Sequence, residues 1–413
     1  MRTSRVIRRV APLALAAIAA AACGSSSSGG PSTGGSGSPA ASGNTYTIAY
    51  EGPLSGGNAQ LGENMSFAVK LAVQQANAGT TFGQLPFKLA FAQEDDQGSA
   101  TVAPTAAQKI LSISNLIAVV GPAFSGATAA AEPLFSQANV ATVSPSATAP
   151  TLATSGWKNF FRVVADDNAQ GPADAEYLGK VAHIKSVYSV DDASDYAAGL
   201  VKAFDAAAPT DGVRLVSHQT APGTTQCQAG TGNVQQYNTL ATKIKASGAA
   251  SVFYAGYYCD FALLAKQLRA AGYNGQLVSD DGSNDPHYVS GAGASVANGT
   301  VLSCACQETI KGSAFSSFAT AFKGVAGFAP GTYSAEAYDS ANTIISAMKA
   351  LGASPTKAGI VTALHASGFS YAGISKTVVF AANGNYGGSA VYMYKVENGQ
   401  IAQLGLISKL AGG

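Results

Sequence analysis

A two-lobed α/β protein built on mainly parallel sheets is the fold class this chain predicts. Three observations carry that reading. Short apolar strand patterns alternate with helix patterns, which implies parallel strands joined by right-handed crossovers. Residues 46–413 are too many for one ordinary core and suit two. After Thr300 the alternation gives way to helices and a short closing antiparallel group.

The N-terminus stands outside the fold. Arg2, Arg5, Arg8 and Arg9 form a positive start, and 10–22 is an apolar run too short for a permanent membrane span. Four alanines, 19–22, then lead into Cys23. Residues 1–22 resemble a bacterial lipoprotein signal, with Cys23 as the lipidated N-terminus and Ala20 where Leu is usual; an ordinary secretory signal is the alternative. Residues 23–44 read as a tether. Its Gly/Ser/Pro tract has no large apolar residue and cannot bury a core, and about 20 such residues reach roughly 25 Å.

The body begins with a strand at 46–50, a Gly-rich loop at 53–62 and a helix at 63–77. Residues 87–93 alternate apolar and polar, a strand ending in the acidic run Glu94, Asp95 and Asp96, which reads as a solvated turn or capping group. A helix at 101–112 and a strand at 116–120 follow. Ser125 stands where the next helix begins, as an N-cap, and 127–138 is Ala-rich with Pro133 inside it. Strands at 140–143 and 160–164 and a helix at 171–182 complete this series. A second one has strands at 186–190, 213–219, 251–255 and 276–279, with helices at 233–247 and 261–271. Helices at 314–326, 335–351 and 355–367 come next. The strands 377–380, 390–396 and 400–406 form the closing group around an Asn383-Gly384 turn.

Composition excludes several functions. Net charge is +1, charged residues are 11% and there is no basic stripe, so nucleic acid is not an expected partner. His183, His218, His287 and His365 are scattered, and no zinc-protease motif, nucleophile elbow or P-loop occurs, so neither an enzyme nor a cofactor is expected. Beyond Cys23 the cysteines are Cys227, Cys259, Cys304 and Cys306, an even number that suggests disulfides in an exported chain. Cys227–Cys259 with Cys304–Cys306 is favoured over the other two pairings, although the small ring of the second bond leaves a crossed pairing open. No His lies near these cysteines and Cys-x-Cys is not zinc spacing, so no metal is expected.

The segment 119–150 points to function. It reads as strand, tight turn, helix, strand and a second turn holding Ser144, Ser146 and Thr148. In a parallel sheet both turns lie at the carboxyl ends of strands, where ligands bind. A helix N-terminus flanked by hydroxyls favours an anion, so the unit reads as a grip for a small carboxylate.

Five segments in this order carry a resemblance: Gly-Pro-Leu-Ser-Gly at 52–56, Gly-Pro-Ala-Phe-Ser-Gly-Ala-Thr at 121–128, Ser-Pro-Ser-Ala-Thr-Ala-Pro at 144–150, 255–272 and 337–345. From Tyr46 to about Leu406 the chain resembles the leucine/isoleucine/valine-binding proteins, the type I periplasmic solute-binding proteins of branched-chain amino-acid ABC transporters. The resemblance implies two α/β lobes joined by three crossovers near Asp166, Val301 and Val379, with the ligand in the cleft. Lobe one would be 45–165 plus 302–378, and lobe two 166–301 plus 379–413.

It also implies a site. Ser125 and Thr148 would hold a ligand carboxylate, and Ser146, Ala147 and Thr148 would begin an ammonium site. Asp281, in place of the family's Glu and one methylene shorter, would meet the ammonium, with Asp280 as the alternative. Tyr196 and Tyr257 would close over the ligand, with Tyr258 the alternative to Tyr257. Leu61, where the family usually has an aromatic, with Phe124 and Tyr333 would wall the side-chain pocket. The expectation is a monomeric lipoprotein on the outer face of the cell membrane that captures Leu, Ile or Val and hands it to an ABC permease. The same fold serving another small amine, amide or aromatic metabolite, or a sensory receptor, is the alternative.

Overall fold

The computed structural model describes residues 44–223, 234–308 and 312–412, without the side chains of 234–236. The expected signal peptide, the tether, Cys23 and Cys227 lie outside the described residues. The first half of the described chain runs β1 (Thr45–Gly52), α1 (Ala59–Asn77), β2 (Lys88–Asp95), α2 (Ala103–Leu111), β3 (Leu116–Val120), α3 (Ser125–Gln137), β4 (Ala141–Ser144) and β5 (Phe160–Arg162). These strands form one parallel sheet in the order β2-β1-β3-β4-β5. Leu116 to Val120 are all buried, as a central parallel strand covered on both faces requires.

The second series runs α4 (Asp167–Glu176), β6 (Ser186–Asp191), α5 (Asp195–Ala207), β7 (Arg214–Thr220), α6 (Val234–Ser247), β8 (Ser251–Ala255), α7 (Tyr258–Ala270), β9 (Gln276–Ser279), α8 (Pro286–Ala292), α9 (Ala294–Ala297) and β10 (Val301–Cys304). Three helices follow, α10 (Ser313–Ala326), α11 (Ser334–Leu351) and α12 (Lys357–Leu364). The chain closes with β11 (Tyr371–Ala372), β12 (Thr377–Val378), β13 (Tyr392–Glu397), β14 (Gln400–Leu406) and α13 (Ile407–Leu410). The second sheet has the order β14-β13-β10-β9-β8-β6-β7, parallel except where β13 meets β10 and β14. Helix α11 packs along α1 and against β3 and β4, so the helices after β10 belong to the first sheet's lobe.

Several local expectations change. The crossing expected near Val301 comes after Cys304, because 301–304 are buried and hydrogen-bonded on both sides, to β9 and β13. Residues 377–378 do not join the closing group. They pair with β11 instead, and the Gly384 carbonyl beyond them accepts from the Arg162 amide at the edge of β5 (3.1 Å). Ser125 is the first residue of α3 rather than its cap; Phe124, extended at φ −98° and ψ 145°, holds the cap position. Helix α5, which carries Tyr196, and the short α8 and α9 lie where no helix was expected. Cys304 and Cys306 are joined by a disulfide at the end of β10, with Cα atoms 4.9 Å apart. Cys259 is disulfide-bonded as well.

Candidate functional site

Two turns of the first lobe, after β3 and β4, are stitched into one surface. The Ser144 hydroxyl donates to the Pro122 carbonyl (2.8 Å) and accepts from the Ala147 amide (3.0 Å). The Ser146 hydroxyl donates to the Ala123 carbonyl at 2.7 Å. Ser125 Oγ accepts from the Ala149 amide at 3.1 Å, which leaves its own proton to donate. Beside it, the first amides of α3 have no partner within the helix and form its positive end. Hydroxyl and amides together suit a carboxylate.

Arg162 fixes this surface from behind. Its guanidinium is wholly buried and donates to the carbonyls of Ala147 (3.0 Å) and Ala149 (2.8 Å), to Asn385 (2.7 Å) and to Asp166 (3.1 Å). A buried cation is tolerated only when paired and hydrogen-bonded in this way. By holding the carbonyls of 147 and 149, it turns that stretch of backbone inward. Ser146 reaches the cavity wall; Ala147 and Thr148 lie buried behind it, with the Thr148 hydroxyl beside the Asp167 carboxyl. Burial pushes that carboxyl up to about 8.

The second lobe brings an acid. Asp281 opens the turn after β9. Its Oδ1 accepts from Gln170 Nε2 (2.6 Å) and from the Tyr196 hydroxyl (2.7 Å), and its Oδ2 from the Tyr333 hydroxyl (2.7 Å). Burial raises its carboxyl above the ordinary range, and the three hydrogen bonds pull it back in part. Asp280 points elsewhere: its Oδ2 accepts from the Gly256 amide at 2.8 Å, and burial followed by the charge of Asp281 drives it well up. Asp281 is thus the acid that faces the cavity.

Aromatic rings close the space between. Tyr257, at the cap of α7, stacks on Phe124 of the other lobe with centroids 4.5 Å apart and planes 19° apart, and Tyr196 sits 5.6 Å from Tyr257. Tyr258 turns away and donates to the Gly57 carbonyl at 2.7 Å. Tyr333 reaches across from the start of α11 with φ 64°, a left-handed conformation uncommon outside glycine. Gly282 must be small: a Cβ there would meet the rings of Tyr196 at 3.1 Å and Tyr257 at 3.2 Å.

The result is a narrow cavity of about 20 Å³, lined by Leu61, Phe124, Ser125, Ser146, Tyr196, Tyr257, Asp281 and Tyr333. Met65, Ala123 and Gly282 line it too, and the sequence reading did not identify them. Met65 lies four residues after Leu61 on α1, hence on the same face, and that spacing was the signal available. Gln170 was also missed; nothing in its local sequence marks it.

A two-lobed α/β fold with a small cavity between the carboxyl ends of its two sheets is the architecture of a solute-binding protein. The chain belongs to the periplasmic binding protein family, whose sequence pattern matches residues 45–400. It is 27% identical over 360 residues to the Leu/Ile/Val-binding protein homolog 3 of Brucella melitensis, covering 87% of this chain and 93% of that one. It is 26% identical over 293 residues to a leucine-, isoleucine-, valine-, threonine- and alanine-binding protein of Pseudomonas aeruginosa, covering 70% of each. Among solved structures, the branched-chain amino acid transporter substrate-binding protein LivJ of Streptococcus pneumoniae, in complex with isoleucine, superposes with a TM-score of 0.76 at 26% identity, covering 88% of this chain and all of that one.

Proposed function

We propose that this protein is the extracytoplasmic receptor of an ABC transporter and captures an α-amino acid, with Leu, Ile or Val the leading ligands. One observation carries the reading: the Ser125 hydroxyl and the α3 N-terminus stand on one side of the cavity, and the Asp281 carboxylate on the other. A zwitterion buried between the lobes needs both, since either charge left unpaired away from water is costly. Ser125 and the α3 amides receive the carboxylate, and Asp281 with the rings of Tyr196 and Tyr257 receives the ammonium. Leu61, Met65, Phe124 and Tyr333 offer the apolar wall for an aliphatic side chain. The space of about 20 Å³ is tighter than an amino acid, so the two lobes must part to admit one.

The relatives named for Leu, Ile and Val binding support the ligand class, and the family supports a place outside the cytoplasm. Lipidation at Cys23 would hold the protein at the outer face of the membrane, with the 23–44 tether leaving the lobes free to meet a permease. The direct test is calorimetry of the ligand-stripped protein with the α-amino acids. Saturable binding of Leu, Ile or Val is expected. Binding only of an amide or an aromatic acid would replace the ligand class, and failure of every α-amino acid would end the reading.

A further inference from the structure

Asp281 does not stand alone in the second lobe. Gln170, in the first turn of α4, donates from Nε2 to Asp281 Oδ1 at 2.6 Å and to Ser303 Oγ at 3.0 Å. Ser303, on β10, donates in turn to Asp174 Oδ2 at 3.0 Å. Gln170, Asp174 and Ser303 are fully buried. A hydroxyl that donates to a carboxyl must use its oxygen to accept, so the Gln170 group facing Ser303 is the amide nitrogen. That same nitrogen is then the one that reaches Asp281. The opposite flip would set a carbonyl oxygen against a carboxylate oxygen.

We propose that Gln170, oriented by Ser303 and Asp174, is a positioning residue that aims the Asp281 carboxylate at the amine of the ligand. The inference rests on the amino-acid reading above. With Gln170 and Tyr196 both on Oδ1, the carboxylate is locked against rotation, and Tyr333 takes only one lone pair of Oδ2. The remaining acceptor capacity of Oδ2 is what an ammonium can use. The chain of bonds also spans the lobe's seams. Gln170 follows the crossing at Asp166, and Ser303 precedes the crossing after Cys304, so the amine-binding acid is tied to both segments where the backbone passes between lobes.

The test uses the full chain in three forms: wild type, Gln170→Leu and Ser303→Ala. Two readouts are taken, calorimetry with L-leucine and the pH titration of the Asp281 side chain by carbon NMR with aspartate labelling, assigned with Asp281→Asn. The charged and titratable groups around Asp281 are Asp280, Asp174, Asp167, Tyr196, Tyr257 and Tyr333; none is substituted, and only Asp174 loses a partner, in Ser303→Ala. Loss of a hydrogen bond to a charged group should weaken leucine binding about tenfold in Gln170→Leu, with a smaller loss in Ser303→Ala. The Asp281 midpoint should move upward in Gln170→Leu, because the ionised form loses a donor, and by less in Ser303→Ala, where that donor stays but loses the partner that orients it. A merely structural role would lower the melting temperature and leave that midpoint in place. Should Gln170→Leu fail to fold, Ser303→Ala carries the same two readouts. A wild type blind to leucine would sink the ligand reading while the carboxyl titration still judged the positioning. An unmoved midpoint in the folded variants would overturn the proposal.

Discussion

Asp281 is where burial, charge and hydrogen bonding meet most sharply. Its carboxylate is almost wholly buried and takes three donors, yet it lines the cavity. Truncation by Asp281→Ala should leave a bound ammonium buried without its acid, at a cost of roughly 2–5 kcal/mol in binding. Calorimetry with L-leucine checks this; unchanged affinity would move the amine contact elsewhere. The acid also sets a pH dependence. Burial raises its carboxyl above the ordinary value of 3.8. An ammonium ligand favours the ionised form, so binding below the raised midpoint must expel a proton. Leucine affinity should therefore fall as pH drops through the range above 3.8, by up to about tenfold per unit. Calorimetry in buffers of different ionisation enthalpy should show proton release there. Proton uptake on binding would refute the sign. The residues themselves pointed to Ser125 at the start of a helix after a strand, whereas Tyr196, Tyr257 and Asp281 came from the family resemblance. The resemblance preferred Asp281 with Asp280 as the alternative, and the physical ground for the choice lies in the fold, where the Gly256 amide captures Asp280.

At the level of elements, the strands 251–255 and 276–279 were legible to the residue, because each is too short for a helix and is closed off by nearby glycine or polar residues. Helix α5 was not. Gly199 stands in its middle, and a glycine there weakens a helical pattern by about 1 kcal/mol relative to Ala. The structure supplies the reason for it: a Cβ at 199 would stand 3.0 Å from the Asp167 carboxylate. The closing antiparallel group was half legible. Strands β13 and β14 follow the alternating pattern, whereas 377–378 is drawn away by β11. Helix α1 shows how close packing fixes an element. Residues 59–62, expected as loop, are its first turn, and Gly62 lies against the Pro53 carbonyl, where an added Cβ would come within 1.6 Å. Gly62→Ala must push the 53–57 loop off the helix or bend the helix itself. The expected cost is about 1–3 kcal/mol, as for other overpacked sites. Denaturant unfolding checks this, and a variant as stable as wild type would show that the loop yields freely.

Across the whole molecule, buried acids give stability and binding opposite responses to pH. Burial raises Glu51 from 4.5 to about 9, Glu132 from 4.5 to about 8, Asp167 from 3.8 to about 8 and Asp96 from 3.8 to about 7. Neighbouring carboxylates add to the rise for Glu51 and Asp96, and hydrogen bonds from Thr142 and Asn159 moderate it for Glu132. All four side chains are buried. Each binds its proton more tightly folded than unfolded. Between its unfolded value near 4 and its folded value, the native state holds more protons than the denatured one, and unfolding then becomes easier as pH rises. Their stabilising contribution is complete below about pH 4 and is lost progressively toward pH 7–9. Asp95 acts in the other direction. Its carboxylate accepts from Ser55 and from the Leu54 and Gln97 amides, which lowers it, so what it contributes is lost on acidification through its folded range. Because Asp95 is partly exposed, its effect is small. Urea unfolding at a series of pH values should place maximal stability in the mildly acidic range and show a loss on the order of a few kcal/mol by pH 9. A flat profile, or a maximum at pH 8, would mean that these carboxylates are hydrated or paired in solution. Since ligand affinity should rise over the same interval in which stability falls, a bound amino acid ought to stabilise the protein more at pH 8 than at pH 5. Melting with and without saturating L-leucine at the two pH values tests that coupling.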